Sequence, residues 1–124
     1  MTILDSNVWI ALLDKNDSLH RRARRIVNEL KDTIALPEYV ILEVTTVLSQ
    51  KAGKLFADSF LQKVCANRDI QIIASSKQFL DEVIEFYLSQ SKGKLSFVDY
   101  ALLYLSRRMK ILTFDSDLEK ALKQ

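Results

Sequence analysis

Short runs of apolar residues alternate along this chain with longer segments in which apolar residues recur at every third or fourth position. The short runs are typical of buried strands, and the recurring positions are typical of helices that bury one face. The predicted strands cover residues 2–5, 33–36, 70–73 and 110–114. The predicted helices cover residues 8–14, 18–31, 39–50, 54–67, 77–90, 96–108 and 118–123, and a loop is expected at 90–94.

Strands and helices that alternate in this way predict the α/β fold class. Short, continuously apolar strands are typical of a parallel sheet with helices on both faces, which is a three-layer α/β/α sandwich with a short sheet. The length of 124 residues fits one domain over residues 1–124. Only two glycines and one proline occur, which argues against an all-β fold with many tight turns.

Composition and charge narrow the class of protein. A net charge of +2 is evidence neither for nor against a nucleic-acid partner. The single Cys65 excludes an internal disulfide, and with His20 as the only histidine the usual zinc ligand sets are excluded too. The chain contains neither a leader-like segment nor an apolar span long enough for a bilayer. We therefore expect a cytoplasmic protein with no membrane partner.

Four apolar runs are each interrupted or ended by an acidic residue, namely Asp5, Glu43, Asp99 and Asp115. A buried carboxylate is costly unless it is paired or bound to a metal ion. Asp5 and Asp115 follow predicted strands, and ligands of open α/β sheets bind at the carboxyl ends of the strands. A divalent cation shared by the four acids is the simplest common explanation.

Oxygen ligands without histidine or cysteine suit hard cations such as Mg²⁺ or Mn²⁺. A bound ion of this kind can activate water and polarise a phosphoryl oxygen, which permits phosphodiester hydrolysis without a histidine. Clustered carboxylates repel one another, so the pKa of a cluster member should be raised before metal binds.

Each acid also has a purely structural alternative. Asp5 can cap the helix that follows it, although Ser6 or Asn7 was the expected N-cap there. Ser96 and Asp99 have the spacing of a capping box. Either Asp115 or Asp117 can cap the last helix, whereas Glu43 lies mid-helix and its main alternative is a buried pair with an arginine.

Four segments resemble one known family: residues 4–10 (LDSNVWI), the inward Glu43, residues 95–101 (LSFVDYA) and residues 112–117 (LTFDSD). Together they resemble the PIN domain, and in particular the VapC-type toxins of toxin-antitoxin pairs, over essentially the whole chain. The resemblance implies a metal-dependent endoribonuclease in which Asp5, Glu43, Asp99 and Asp115 are catalytic and bind Mg²⁺ or Mn²⁺.

The same resemblance implies further residues and partners. Asp117 would be an additional metal ligand, and Asn7 and Thr113 would support the site by hydrogen bonds. The substrate would be RNA, and the protein would be a homodimer whose active-site groove is blocked by the C-terminal segment of a cognate antitoxin. The sequence leaves open which RNA is cut and whether one or two metal ions bind.

Two other functions remain open at this stage. A non-catalytic PIN-like module would bind RNA or protein without cleavage, and a receiver-like signalling domain would also hold Mg²⁺ at strand ends. The arginines at residues 21–25 are either the solvated face of a helix or a contact to RNA or antitoxin. Trp9 is expected in the core or a dimer contact, with base stacking as the alternative, and Cys65 is expected to be buried.

Overall fold

A computed structural model describes residues 1–91 and 93–124, and the expected loop at 90–94 therefore includes one residue, Lys92, outside the described part. Within that part the strands and helices alternate as expected. The strands are β1 (Thr2–Leu4), β2 (Ile34–Pro37), β3 (Ile70–Ile73) and β4 (Lys110–Leu112). The helices are α1 (Ser6–Leu13), α2 (His20–Glu29), α3 (Glu38–Ala52), α4 (Lys54–Ala66), α5 (Lys77–Ser89), α6 (Phe97–Leu105) and α7 (Ser116–Leu122).

The four strands form one parallel sheet in the order β3-β2-β1-β4. Because β1 lies between β2 and β4, the carboxyl ends of these three strands meet at one edge of the sheet. Residues that follow β1, β2 and β4 are therefore brought together there.

Alternate side chains of the central strands feed two separate cores, as the two-residue period of a strand requires. Leu4 and Leu36 point to the face covered by α1, α2, α3 and α4. Ile3 and Ala35 point to the opposite face, where Leu102 of α6 and the terminal helix α7 cover them. Helices on both faces confirm the predicted three-layer α/β/α architecture.

Several local predictions are wrong in detail. Asp5, not Ser6 or Asn7, is the N-cap of α1, and its carboxylate accepts a hydrogen bond from the Ser6 backbone. Helix α6 ends at Leu105, three residues earlier than expected, because the following backbone bends into turns. Cys65 is exposed, since it lies on the solvent side of α4 and Val64 takes the buried position.

Other features of the chain follow the sequence pattern. Helix α3 ends at Gly53, whose φ of 93° lies in the left-handed region that favours glycine. Trp9 is buried and packs edge-on against Phe60 in the core, with ring centroids 5.6 Å apart. Over the described residues, no helix is both long enough and apolar enough to span a membrane.

Candidate functional site

Asp5 is the most deeply buried acid at the carboxyl edge of the sheet, with a relative exposure of 5%. Its backbone N–H still donates to the Leu112 carbonyl of β4 at 2.9 Å, which fixes the residue where β1 ends. Its carboxylate accepts hydrogen bonds from the Ser6 backbone and from the Thr113 hydroxyl, each at 2.7 Å. Asp5 therefore does cap α1, as the structural alternative predicted. The capping hydrogen bond uses Oδ1, and the bond from Thr113 uses Oδ2.

The electrostatic environment of Asp5 connects it to two of the other acids. Burial raises the pKa of Asp5, and the charges of Asp99 and Glu43 raise it further, against the lowering effect of the hydrogen bonds from Thr113 and Ser6. The direction agrees with the expectation for clustered carboxylates, although burial is the largest cause. The charges of Glu43 and Asp99 therefore reach Asp5.

Glu43 lies in the middle of α3 and is half-buried, where it accepts a hydrogen bond from the Ser6 hydroxyl. Ser6 and Glu43 are 37 positions apart, so this bond ties the start of α1 to α3. Within the described residues no arginine pairs with Glu43, so the arginine alternative is not realised. Ser6 was missed as a site residue, and the signal for it was a hydroxyl directly after Asp5.

Asp99 forms the capping box that its spacing from Ser96 predicts. The Ser96 backbone N–H donates to Asp99 Oδ2 and the Asp99 backbone N–H donates to Ser96 Oγ, both at 3.1 Å. The carboxylate is nevertheless half-buried, and its charge acts on Asp5. The capping role fixes the position of Asp99 without using Oδ1.

Asp115 is the N-cap of α7, and its Oδ1 accepts a hydrogen bond from the Leu118 backbone at 2.9 Å. Both Asp115 and Asp117 are exposed, and Asp117 lies in the first turn of the same helix. Asp115 stands three residues beyond the end of β4, since that strand is shorter than predicted. The pair is therefore at the rim of the acid cluster, and Asp115 rather than Asp117 has the capping role.

The two supporting residues predicted from the sequence, Asn7 and Thr113, connect Asp5 by hydrogen bonds to the segment that contains Asp115. The Asn7 amide donates to Thr113 Oγ1 at 3.2 Å and to Asp5 Oδ2 at 3.4 Å. The Asn7 carbonyl accepts from the Phe114 backbone at 3.1 Å, and Thr113 Oγ1 accepts from the Asp115 backbone at 3.0 Å. A continuous hydrogen-bond network therefore joins the end of β1 to the loop after β4.

Tyr39 was not predicted from the sequence and lies next to the acids. It precedes Glu43 by one helical turn on α3, so the two side chains share a face. Its hydroxyl is buried and has no hydrogen-bond partner among the described residues. Burial raises the pKa of Tyr39, and the charges of Asp5 and Glu43 add to the increase.

The carboxylates can be compared with what a hard cation requires. As they stand, no three His, Cys, Asp or Glu side chains of residues 1–91 and 93–124 are grouped tightly enough to hold a metal ion. However, the acids offer free oxygens, because Glu43 Oε2, Asp99 Oδ1 and Asp115 Oδ2 accept no hydrogen bond in the described part of the chain. The all-oxygen chemistry of these side chains, though not their present spacing, is the kind that Mg²⁺ or Mn²⁺ prefers.

The sequence and the fold are both similar to those of known proteins. A family model described as PIN domain matches residues 2–123. The crystal structure of VapC20 from Mycobacterium tuberculosis, a toxin described as cleaving the sarcin-ricin loop, is similar with a TM-score of 0.87 and 19% identity, covering 98% of this chain and 95% of that one. A toxin-antitoxin complex from Klebsiella pneumoniae is similar with a TM-score of 0.69 and 17% identity, covering 94% and 89%. A search of curated protein sequences gives no match. Since the family model spans nearly the whole chain, this protein belongs to the PIN domain family.

Proposed function

We propose that this protein is a Mg²⁺- or Mn²⁺-dependent endoribonuclease and the toxin of a toxin-antitoxin pair. The observation that supports the proposal is the buried Asp5 at the carboxyl edge of the sheet, whose pKa is raised by burial and, to a smaller extent, by the charges of Asp99 and Glu43. Membership of the PIN family and the likeness of the fold to an RNA-cleaving toxin support the same activity. Helix capping accounts for Asp5, Asp99 and Asp115 but not for the mid-helix Glu43, whose charge near the buried Asp5 favours a functional site.

The residues of the chain take distinct roles in this proposal. Asp5, Glu43, Asp99 and Asp115 would hold the cation, with Asp117 as a further ligand. The bound cation would supply the Lewis acidity that activates water for attack on the phosphodiester. Ser6, Asn7 and Thr113 orient the carboxylates through hydrogen bonds, as partners of metal ligands commonly do.

Cleavage of a single-stranded RNA by purified protein tests the activity. We expect cleavage with Mn²⁺ or Mg²⁺ that stops in EDTA and is lost in Asp99→Asn. Asp81→Asn is the matched control, because Asp81 is exposed on α5 and, among the described residues, pairs only with Lys77 at 2.8 Å. Expression of the wild type should arrest growth, whereas Asp99→Asn should not. RNA binding with no cleavage in either metal would instead establish a non-catalytic module.

The proposal extends to an antitoxin, and the similar complex from Klebsiella pneumoniae supports it. An RNA-cleaving toxin of this kind would act in the cytoplasm, where its substrate lies. Co-expression with the product of the neighbouring gene should give a stable complex that lacks nuclease activity. A neighbouring product that neither binds nor inhibits the protein would contradict this partner.

A homodimer is also proposed, and exposed apolar side chains support it. Leu80, Ile84, Tyr87 and Leu88 form an exposed stripe along α5, and Phe97 contacts Tyr87 beside it. Contiguous apolar surface of this kind marks interaction sites in proteins. Sedimentation should give a dimer that Ile84→Glu converts to a monomer, whereas a monomeric wild type at micromolar concentration would exclude the dimer.

A further inference from the structure

Arg22, one of the arginines at residues 21–25 in α2, contacts the residue that precedes Asp115. The Arg22 guanidinium lies over the Phe114 ring, 5.0 Å from its centroid. Phe114 directly precedes Asp115, and its backbone N–H donates to Asn7 at 3.1 Å. Since Asn7 also donates to Asp5, Arg22 is connected to the cluster through one aromatic ring and one amide.

The charge of Arg22 is available for an external anion. Arg22 is exposed, and the ion pairs found among the described residues involve only lysines and the chain's first ammonium group. A guanidinium held over an aromatic ring by a cation–π contact uses none of its N–H groups as donors in that contact. The contact with Phe114 therefore positions Arg22 without consuming its hydrogen bonds.

Two other arginines of α2, Arg21 and Arg24, differ from Arg22 in their surroundings. Arg24 lines a cavity of about 350 Å³ together with His20 and Lys63. Arg21 is exposed on the same helix, and neither an aromatic ring nor a carboxylate in the described part of the chain holds its guanidinium. Arg21 therefore carries the same charge, one residue away, without the connection to the site.

An acidic cluster repels the phosphates of an RNA substrate, so a cationic side chain beside it favours the approach of the RNA backbone. Arginine suits this task because its planar fork can donate two parallel hydrogen bonds to one phosphate. We propose that Arg22 binds a phosphate of the substrate RNA beside the bond that is cut, and that Phe114 positions it. The inference rests on the proposed nuclease function and identifies a substrate contact of that same site.

Binding and cleavage by paired variants test the role of Arg22. RNA binding is measured in the Asp99→Asn background by fluorescence anisotropy with a labelled single-stranded RNA over a series of salt concentrations. Adding Arg22→Ala should weaken binding and reduce the slope of log affinity against log salt by about 0.7, the contribution of one phosphate on a single strand. Adding Arg21→Ala should leave both near the parent values.

In the cleavage-competent protein, Arg22→Ala should raise KM several-fold with little change in kcat, because the contact is made in the ground state and retained in the transition state. Arg22→Lys should restore part of the loss, since it returns the charge without the fork. Phe114→Leu should give an intermediate KM, because the arginine remains but is no longer oriented.

Equal binding and equal KM for Arg22→Ala and Arg21→Ala would overturn the inference. A wild type that shows no metal-dependent cleavage would overturn the proposed function instead, and the binding series would still decide the role of Arg22. Circular dichroism and thermal melting of each variant exclude misfolding as the cause of a loss.

Discussion

Thr113 donates its hydroxyl hydrogen to Asp5 Oδ2 at 2.7 Å, although the two residues are 108 positions apart. The bond is possible because β1 and β4 are adjacent and parallel, so the residues that follow Leu4 and Leu112 emerge side by side. It joins the first and the last strand of the chain at the edge where the acids meet.

Loss of the Thr113 hydroxyl should change the pKa of Asp5 more than loss of the Thr113 methyl group. The hydrogen bond from Thr113 lowers the pKa of Asp5, so Thr113→Val should raise that pKa further and weaken Mn²⁺ binding. The variant should also lose about 1.5 to 3 kcal/mol of stability, the typical contribution of a hydrogen bond to a charged group. Thr113→Ser keeps the hydroxyl and is the control. Calorimetric titration with Mn²⁺ and urea unfolding provide the measurements, and equal behaviour of the two variants would contradict this role.

Asp115 combines a capping role with the proposed role in metal binding, and one substitution separates them. Asn is as good an N-cap as Asp, so Asp115→Asn should leave the free energy of unfolding nearly unchanged while removing the carboxylate. Cleavage should fall at least about tenfold, since even the partners of metal ligands typically contribute that much. Asp115→Ala should lose activity and in addition about 1 kcal/mol of stability. Full activity in Asp115→Asn would reduce Asp115 to a helix cap.

The raised pKa of Asp5 predicts how pH affects stability and metal binding. Its pKa in the folded protein lies above the ordinary 3.8, so the stability that protonated Asp5 contributes is complete below about pH 3.8 and is lost as pH rises through the folded value. Mn²⁺ requires the deprotonated carboxylate, so the rise in Tm on adding Mn²⁺ should be larger near neutral pH and shrink on acidification. Thermal melting with Mn²⁺ and with EDTA, from about pH 4 up to about pH 8, measures this difference. A Tm rise that is independent of pH would show that Asp5 is not a ligand.

The buried Tyr39 hydroxyl has no partner among the described residues, so its removal should not destabilise the metal-free protein. Tyr39→Phe should keep the stability or raise it by up to about 1 kcal/mol, because an unpaired buried hydroxyl is unfavourable. Tyr39→Leu should be less stable than Tyr39→Phe, since it loses the parallel stacking on Phe79 with centroids 6.5 Å apart. Chemical denaturation in EDTA compares the three proteins. A clear loss in Tyr39→Phe would mean that the hydroxyl is hydrogen-bonded in solution.

The order of strands and helices could be predicted from the sequence because it depends on local pattern. The four short segments predicted as strands are strands in the structure, and Gly53 follows the end of α3 as a residue that adopts positive φ at little cost. The capping box of Ser96 and Asp99 was equally visible, since both partners lie within four residues. The exposure of Cys65 could not be predicted, because the sequence of a helix with many apolar residues does not reveal which of them faces solvent.

The candidate site divides in the same way. The acids that interrupt or end apolar runs could be identified from the sequence, because a charge at such a position is detectable without knowing the fold. The contacts of Ser6 with Glu43, of Thr113 with Asp5 and of Arg22 with Phe114 depend on the folded arrangement of the chain. These contacts join residues far apart in the chain, and they arise from the strand order and helix packing, which no local pattern specifies.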